Sequence, residues 1–185
     1  MQFVKVLNEV LGRFDSLGIR YALIGGFAMA LRGVQRTTVD LDFILMLEDM
    51  DNAHEVLESL GYHREFHSEN VSHYQSPDTA WGRIDLLHAF RGPTLGMLSR
   101  AEPIEISPEI KVKVVHVEDL IGLKIQALVN DPSRSVRDWS DIYMMLEETG
   151  KRRDVLDWEL ISDYLAIFDL QDKLSDLKSL YGATD

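Results

Sequence analysis

Cysteine is absent from all 185 residues. That excludes a disulfide framework, a thiolate nucleophile and thiolate-bound zinc. Long apolar runs are absent too: nowhere does the chain approach the roughly 20 consecutive apolar residues of a membrane-crossing helix. The opening stretch MQFVKVLNEVLGRFDSLG is not a secretory leader, because Lys5, Glu9 and Arg13 interrupt its apolar positions. Basic residues are scarce. Nineteen Lys and Arg stand against 31 Asp and Glu, a formal net charge of −12, which excludes the broad cationic surface of a duplex-DNA binder. No His-Glu-x-x-His spacing occurs, and His63, His67 and His73, on two short expected strands, do not make a metal site by themselves. The expectation is a soluble, cytoplasmic protein with no membrane and no duplex DNA among its partners.

What the chain does have is clear patterning. Phe3, Val6, Leu7, Val10, Leu11 and Phe14 recur at helical spacing, and Gly18 follows as a stop, so the sequence predicts a helix over residues 2–17. A short apolar strand (Tyr21–Ile24), a Gly25-Gly26 turn and a short helix carrying Phe27, Met29, Ala30 and Leu31 come next. After Gly33 and a polar approach (Arg36, Thr37, Thr38), a second strand carries Asp40 and Asp42. Strand side chains alternate faces, so these two carboxylates project together, roughly 7 Å apart, while Leu41 and Phe43 face the other way. Like charges so placed at the mouth of an apolar run call for a positive group between them, and a hard divalent cation is the natural one.

Further along, residues 48–60 read as a helix closed by Gly61, residues 62–67 and 71–76 as strands, and residues 82–89 as an apolar strand with Asp85 in its middle. A helix over 94–100, a Pro-bounded stretch and a strand over 111–115 follow. From Val117 the pattern is helical: one helix up to Pro132, another over 136–148 stopped by Gly150, and two more within 151–182. The order of elements predicts an α+β (α/β) fold, a small mixed sheet with helices over residues 1–116, followed by a C-terminal helical bundle over 117–185.

Gly25-Gly26, Asp40-Leu41-Asp42 and Asp85, taken in that order, resemble the signature of the DNA polymerase beta-like nucleotidyltransferase superfamily. Arg36 and Thr38 leading into Asp40 and Asp42, then Glu118-Asp119-Leu120 with Lys124, and Arg137-Asp138 with Asp141, bring the likeness closest to the AbiEii-type toxins and related minimal nucleotidyltransferases. The resemblance implies a metal-dependent enzyme that moves a nucleoside monophosphate from an NTP, such as ATP, to an acceptor hydroxyl. It implies two Mg²⁺ ions, with Mn²⁺ as a substitute, held by Asp40, Asp42 and Asp85, the last also taking the acceptor's proton. Gly25, Gly26, Arg36, Thr38, Lys124 and Arg137 are then the nucleotide-binding set. For this family it further implies a toxin acting on RNA or tRNA, or on a nucleotide, with an antitoxin protein as partner.

The residues admit these roles physically. A Gly-Gly turn opening a helix leaves N–H donors uncovered for a phosphate, and carboxylates from neighbouring strands suit magnesium. Other readings stand beside them. Asp85 can face solvent or pair with Arg83 or Arg91, and Lys124 can snorkel or pair with Asp138 or Asp141. As alternatives, the same set fits an antibiotic nucleotidyltransferase of the aminoglycoside or lincosamide type, or a catalytically idle regulatory module of the same fold.

Overall fold

In the computed structural model, which describes residues 1–108 and 110–182, these patterns become seven strands and eight α-helices. In chain order they are α1 (Phe3–Ser16), β1 (Tyr21–Ile24), α2 (Gly25–Leu31), β2 (Asp40–Met46), α3 (Met50–Ser59), β3 (His63–His67), β4 (Val71–Gln75), β5 (Arg83–Ala89), α4 (Gly92–Arg100), β6 (Glu102–Ser107), β7 (Ile110–Val114), α5 (Val117–Asn130), α6 (Ser135–Arg152), α7 (Trp158–Ile167) and α8 (Leu174–Gly182). The last three residues of the expected C-terminal region, 183–185, lie outside the described residues. The chain divides into two compact units. One comprises Met1–Ala28 and Arg36–Val115; the other comprises Met29–Gln35 and the chain from His116 onward.

The first unit is built on a mixed sheet of order β3-β4-β5-β2-β1-β7-β6. The β2–β5 and β1–β7 pairs are parallel and the others antiparallel. Alternation along β2 buries Leu41 and Phe43 and leaves Asp40 and Asp42 half-buried on the opposite face. The apolar face is covered by α1, whose Val6, Leu7, Val10, Leu11 and Phe14 are buried. Phe14, Tyr21 and Phe43 meet there with ring centroids 5.6 to 6.4 Å apart. The helix α3 packs on α1, and its His54 ring lies against Tyr74 of β4. The carboxylate face of β2 is the one this core does not cover.

Three elements depart from the sequence reading. The stretch around Pro103 is a strand, β6, pairing antiparallel with β7 at the sheet edge, where a proline's missing N–H costs no ladder bond. The helix expected to stop at Gly150 continues to Arg152, because Gly150 is buried inside α6 and the left-handed terminal residue is Arg153. The expected helix over 48–60 begins as a 3-10 turn, Leu47–Asp49, whose Asp49 carboxylate accepts both the backbone N–H and Nε of Arg20, at 2.9 and 2.8 Å.

In the second unit α5 packs against α6 and α7, and α6 against α8. The Lys124 ammonium sits between Asp138, at 3.0 Å, and Asp141, and Arg134 reaches the other Asp138 oxygen at 3.0 Å. Asp138 is fully buried. Glu118 accepts the Asp157 N–H at the start of α7, at 2.8 Å, and the Tyr164 hydroxyl donates to Asp119 at 2.7 Å. The Tyr164 ring lies over Gly122, where a Cβ would come within 2.7 Å of it.

Burial acts to raise the Asp138 carboxyl pKa, but hydrogen bonds from Lys124 and Arg134 outweigh it and leave the group below its ordinary value. A depressed folded-state pKa contributes stability that is complete above the unfolded value, about 3.9, and disappears as pH falls through the folded one. Asp138→Asn should therefore destabilise the chain by about 3 kcal/mol near neutral pH, since it removes the buried negative charge that Lys124 and Arg134 both bond. In urea titrations at several pH values, the gap between wild type and variant should hold above about pH 5 and close below about pH 4.

Candidate active site

The site grows out of two local constraints in the first unit. At the end of β1 the backbone enters the left-handed region at Gly25, with φ +68°, and a Cβ there would run into the Asp42 carboxylate. Glycine is required twice over, by conformation and by space. At Gly26 a Cβ would lie 2.9 Å from the Thr38 hydroxyl oxygen, so the segment leading into β2 passes directly over the turn. Thr38 then donates to Asp40 Oδ1 at 3.0 Å, fixing the first carboxylate's rotamer.

Sheet register supplies the third acid. The β2 and β5 strands run parallel with Asp42 opposite Asp85 and Asp40 opposite Arg83. Asp40, Asp42 and Asp85 are half-buried, and each offers an oxygen within 4.8 Å of the other two. Unit charges at such spacing repel by about 3 kcal/mol per pair at an effective dielectric constant near 20. Some of that repulsion is offset locally. Arg83 Nε donates to Asp85 Oδ1 at 2.7 Å, and His73 Nδ1, from the opposing position on β4, donates to the same oxygen at 2.8 Å. The bond to Asp85 raises the Arg83 pKa further, so its charge is permanent. Both donors fall on the one oxygen, Oδ1. An all-oxygen, trianionic cluster fits a hard divalent ion such as Mg²⁺ or Mn²⁺ and not a soft one.

Of the residues singled out in the sequence, the structure brings together Asp40, Asp42, Asp85, Gly25, Gly26 and Thr38. Arg36 is half-buried in the link ahead of β2. Lys124 and Arg137 belong to the second unit: Lys124 is engaged by Asp138 and Asp141, and Arg137 is largely exposed, with Nε 3.9 Å from Asp138. Between the two arginines considered as partners of Asp85, the bond is made by Arg83. The Arg91 guanidinium instead lies over the Phe90 ring, 4.8 Å from its centroid. His73 was passed over in the sequence because its partner is set by the β4–β5 register, and no local spacing announces it.

Comparison with known proteins agrees with this geometry. The fold is that of the DNA polymerase beta-like nucleotidyltransferases. A family model described as "Nucleotidyl transferase AbiEii toxin, Type IV TA system" matches residues 9–178, and the chain belongs to that family, an enzyme of the nucleotidyltransferase class. No curated protein matches the sequence. Among solved structures, the antibiotic-resistance factor ANT(2'')-Ia shares 15% identity over 97% of each chain, with a TM-score of 0.65. The lincosamide antibiotic adenylyltransferase LnuA, in a lincomycin-bound structure, shares 16% over 76% of this chain and 94% of its own, with a TM-score of 0.55. An antigenic nucleotidyltransferase-like protein from Paracoccidioides brasiliensis shares 20% over 97% and 92%, with a TM-score of 0.58. At these identities the likeness is one of fold. Among the described residues no helix is long and apolar enough to cross a membrane.

Gly25→Ala tests the turn. Left-handed strain of about 1 to 2 kcal/mol, added to the overlap with Asp42, must displace that carboxylate. Nucleotidyl transfer should fall about 100-fold, as expected for a misplaced reacting group. Gly12→Ala, where a Cβ meets open space on α1, should leave activity unchanged in the same assay.

Proposed function

We propose that this protein transfers a nucleoside monophosphate from an NTP, ATP among them, to the hydroxyl of an RNA such as tRNA, or of a nucleotide, as the toxin of a toxin–antitoxin pair. The observation that carries the reading is the convergence of Asp40, Asp42 and Asp85 within 4.8 Å beside a turn that admits no side chain at Gly25. Family membership supports the toxin role and, with it, an antitoxin protein as partner and action in the cytoplasm.

Asp40, Asp42 and Asp85 would hold two Mg²⁺ ions, or Mn²⁺ in their place, whose chemistry is to lower the pKa of an acceptor hydroxyl and to neutralise the departing pyrophosphate. The chain's own residues do the rest. Gly25 and Gly26 leave backbone N–H groups uncovered for the triphosphate; with α2 only seven residues long, those donors matter more than its dipole. Thr38 holds Asp40 in the rotamer that faces Asp42 and Asp85. Asp85, steadied through Oδ1 by Arg83 and His73, is the proposed receiver of the acceptor's proton. The acceptor oxygen bonds the α-phosphorus as the α–β bridging bond breaks; pyrophosphate departs and the hydroxyl proton passes to Asp85. Arg36, Lys124 and Arg137 complete the proposed nucleotide-binding set as countercharges. For Lys124, that role would require giving up or sharing the bonds it makes to Asp138 and Asp141.

A second reading, nucleotidylation of an antibiotic, is favoured by the whole-chain likeness in fold to ANT(2'')-Ia. The two separate in the cell: a toxin arrests growth on expression, whereas a resistance enzyme raises the tolerated drug concentration. With α-labelled NTPs, Mg²⁺ and total RNA, wild type should label RNA and Asp42→Asn should fall to background. Equal signals from the two proteins would refute the transferase mechanism, and labelling of an aminoglycoside alone would move the acceptor to the second reading.

A further inference from the structure

One row of residues crosses the half-buried face of the sheet strand by strand: Phe66 on β3, His73 on β4, Asp85 on β5 and Asp42 on β2, each opposite the next. Phe66 reaches that row because of a register shift. Arg64 stands opposite Tyr74, yet Phe66 stands opposite His73, so two steps along β3 match one along β4. Regular pairing would place Phe66 opposite Ser72, on the buried face; the bulge turns its ring to the carboxylate face instead. Bulges commonly re-aim a side chain beside an active site. The ring is stacked on the His73 imidazole, with centroids 5.3 Å apart and planes 27° from parallel. It remains 49% exposed, one of the more exposed large apolar side chains of the first unit.

We propose that the Phe66–His73 ring pair is the acceptor platform of this transferase, on which the base of the RNA nucleotide carrying the accepting hydroxyl stacks while its ribose reaches Asp85. This rests on the reading of the triad as a nucleotidyl-transfer centre. Phe66 is two strand spacings from Asp85, about 10 Å, a gap that one nucleotide bridges with its base on the rings and its sugar at the carboxylate. The chemistry beside the platform selects the occupant. Asp85 Oδ1 is taken by Arg83 and His73, so this flank presents an aromatic face, an imidazole and a guanidinium, and no spare carboxylate on β4 or β5. The Glu65 carboxylate on β3 lies close enough to act on the Arg83 guanidinium, so an aminosugar's ammonium would have to compete with Arg83 for it. A base finds a stacking surface, and its phosphate finds Arg83. His73 acts as a positioning residue, joining the platform to Asp85 through its Nδ1 hydrogen bond.

The test pairs binding with kinetics on the full-length protein. A 5′-fluorescein single-stranded RNA hexamer with a free 3′-hydroxyl is titrated by anisotropy in Mg²⁺ without NTP. A non-hydrolysable NTP analogue is titrated separately, and acceptor KM is measured with bulk tRNA. Phe66→Ala should weaken hexamer binding about tenfold, the range expected for one lost base–ring stack, and raise acceptor KM similarly. Affinity for the NTP analogue should not change. Phe66→Leu, which keeps apolar bulk on the edge strand but removes the ring, should behave as Phe66→Ala, and Phe66→Trp should restore binding. Equal hexamer affinity across these variants, no binding by wild type, or a parallel loss of NTP affinity would each overturn the platform. Phe66-dependent binding of an aminoglycoside but not of the hexamer would do so as well. Ring-dependent hexamer binding without label transfer would support the platform and refute the transferase reading, whereas transfer that ignores Phe66 would do the reverse.

Discussion

The site depends on one pairing: β2 and β5 run side by side and parallel, with Asp42 opposite Asp85. A shift of one residue in that register would send Asp85 to the face where Ile84 and Leu86 are buried, and the third carboxylate would leave the cluster. The apolar core holds the register. Leu41 and Phe43 on β2 and Ile84 and Leu86 on β5 are fully buried, so a slip of β5 would expose Ile84 and Leu86 and bury Asp85. At about 1.5 to 3 kcal/mol for each large apolar side chain, hydrophobic packing on one face enforces an electrostatically unfavourable arrangement on the other.

Partial compensation for that arrangement comes from neighbours that leave the shared space open. Thr38 donates to Asp40, and Arg83 and His73 donate to Asp85, each bond lying at the edge of the cluster. A fully neutralised triad would have little affinity for a cation, and one without donors would be poorly ordered. The glycine turn belongs to the same design: a side chain at Gly25 would fall on the Asp42 carboxylate. The second unit uses charge differently. Its Lys124 and Arg134 converge on the buried Asp138, with Asp141 also bonding Lys124, and Glu118 and Asp119 fasten α5 to α7.

The parts legible in the sequence were those governed by local spacing. The helical repeat of Val6, Leu7, Val10, Leu11 and Phe14 gave α1, and strand alternation put Asp40 and Asp42 on one face. Elements whose identity depends on distant neighbours were not legible in this way. The strand β6 exists because β7 pairs with it, against the local signal of Pro103; Gly150 continues a helix because it is buried. The union of Asp85 with the first two acids rested on resemblance, since no periodicity links residues so far apart in the chain. His73 and the outward turn of Phe66 were beyond reach for the same reason: one is a matter of β4–β5 register and the other of a bulge.

The central claim is that the three carboxylates form a single cation site. It is tested most directly by anomalous scattering at the manganese edge from crystals grown with Mn²⁺. The account predicts a strong anomalous peak coordinated by oxygens of Asp40, Asp42 and Asp85 together, lost in Asp85→Asn or shifted onto the two β2 carboxylates. Manganese bound elsewhere with the triad empty, or held by Asp40 and Asp42 while Asp85 stays with Arg83 and His73 alone, would contradict it.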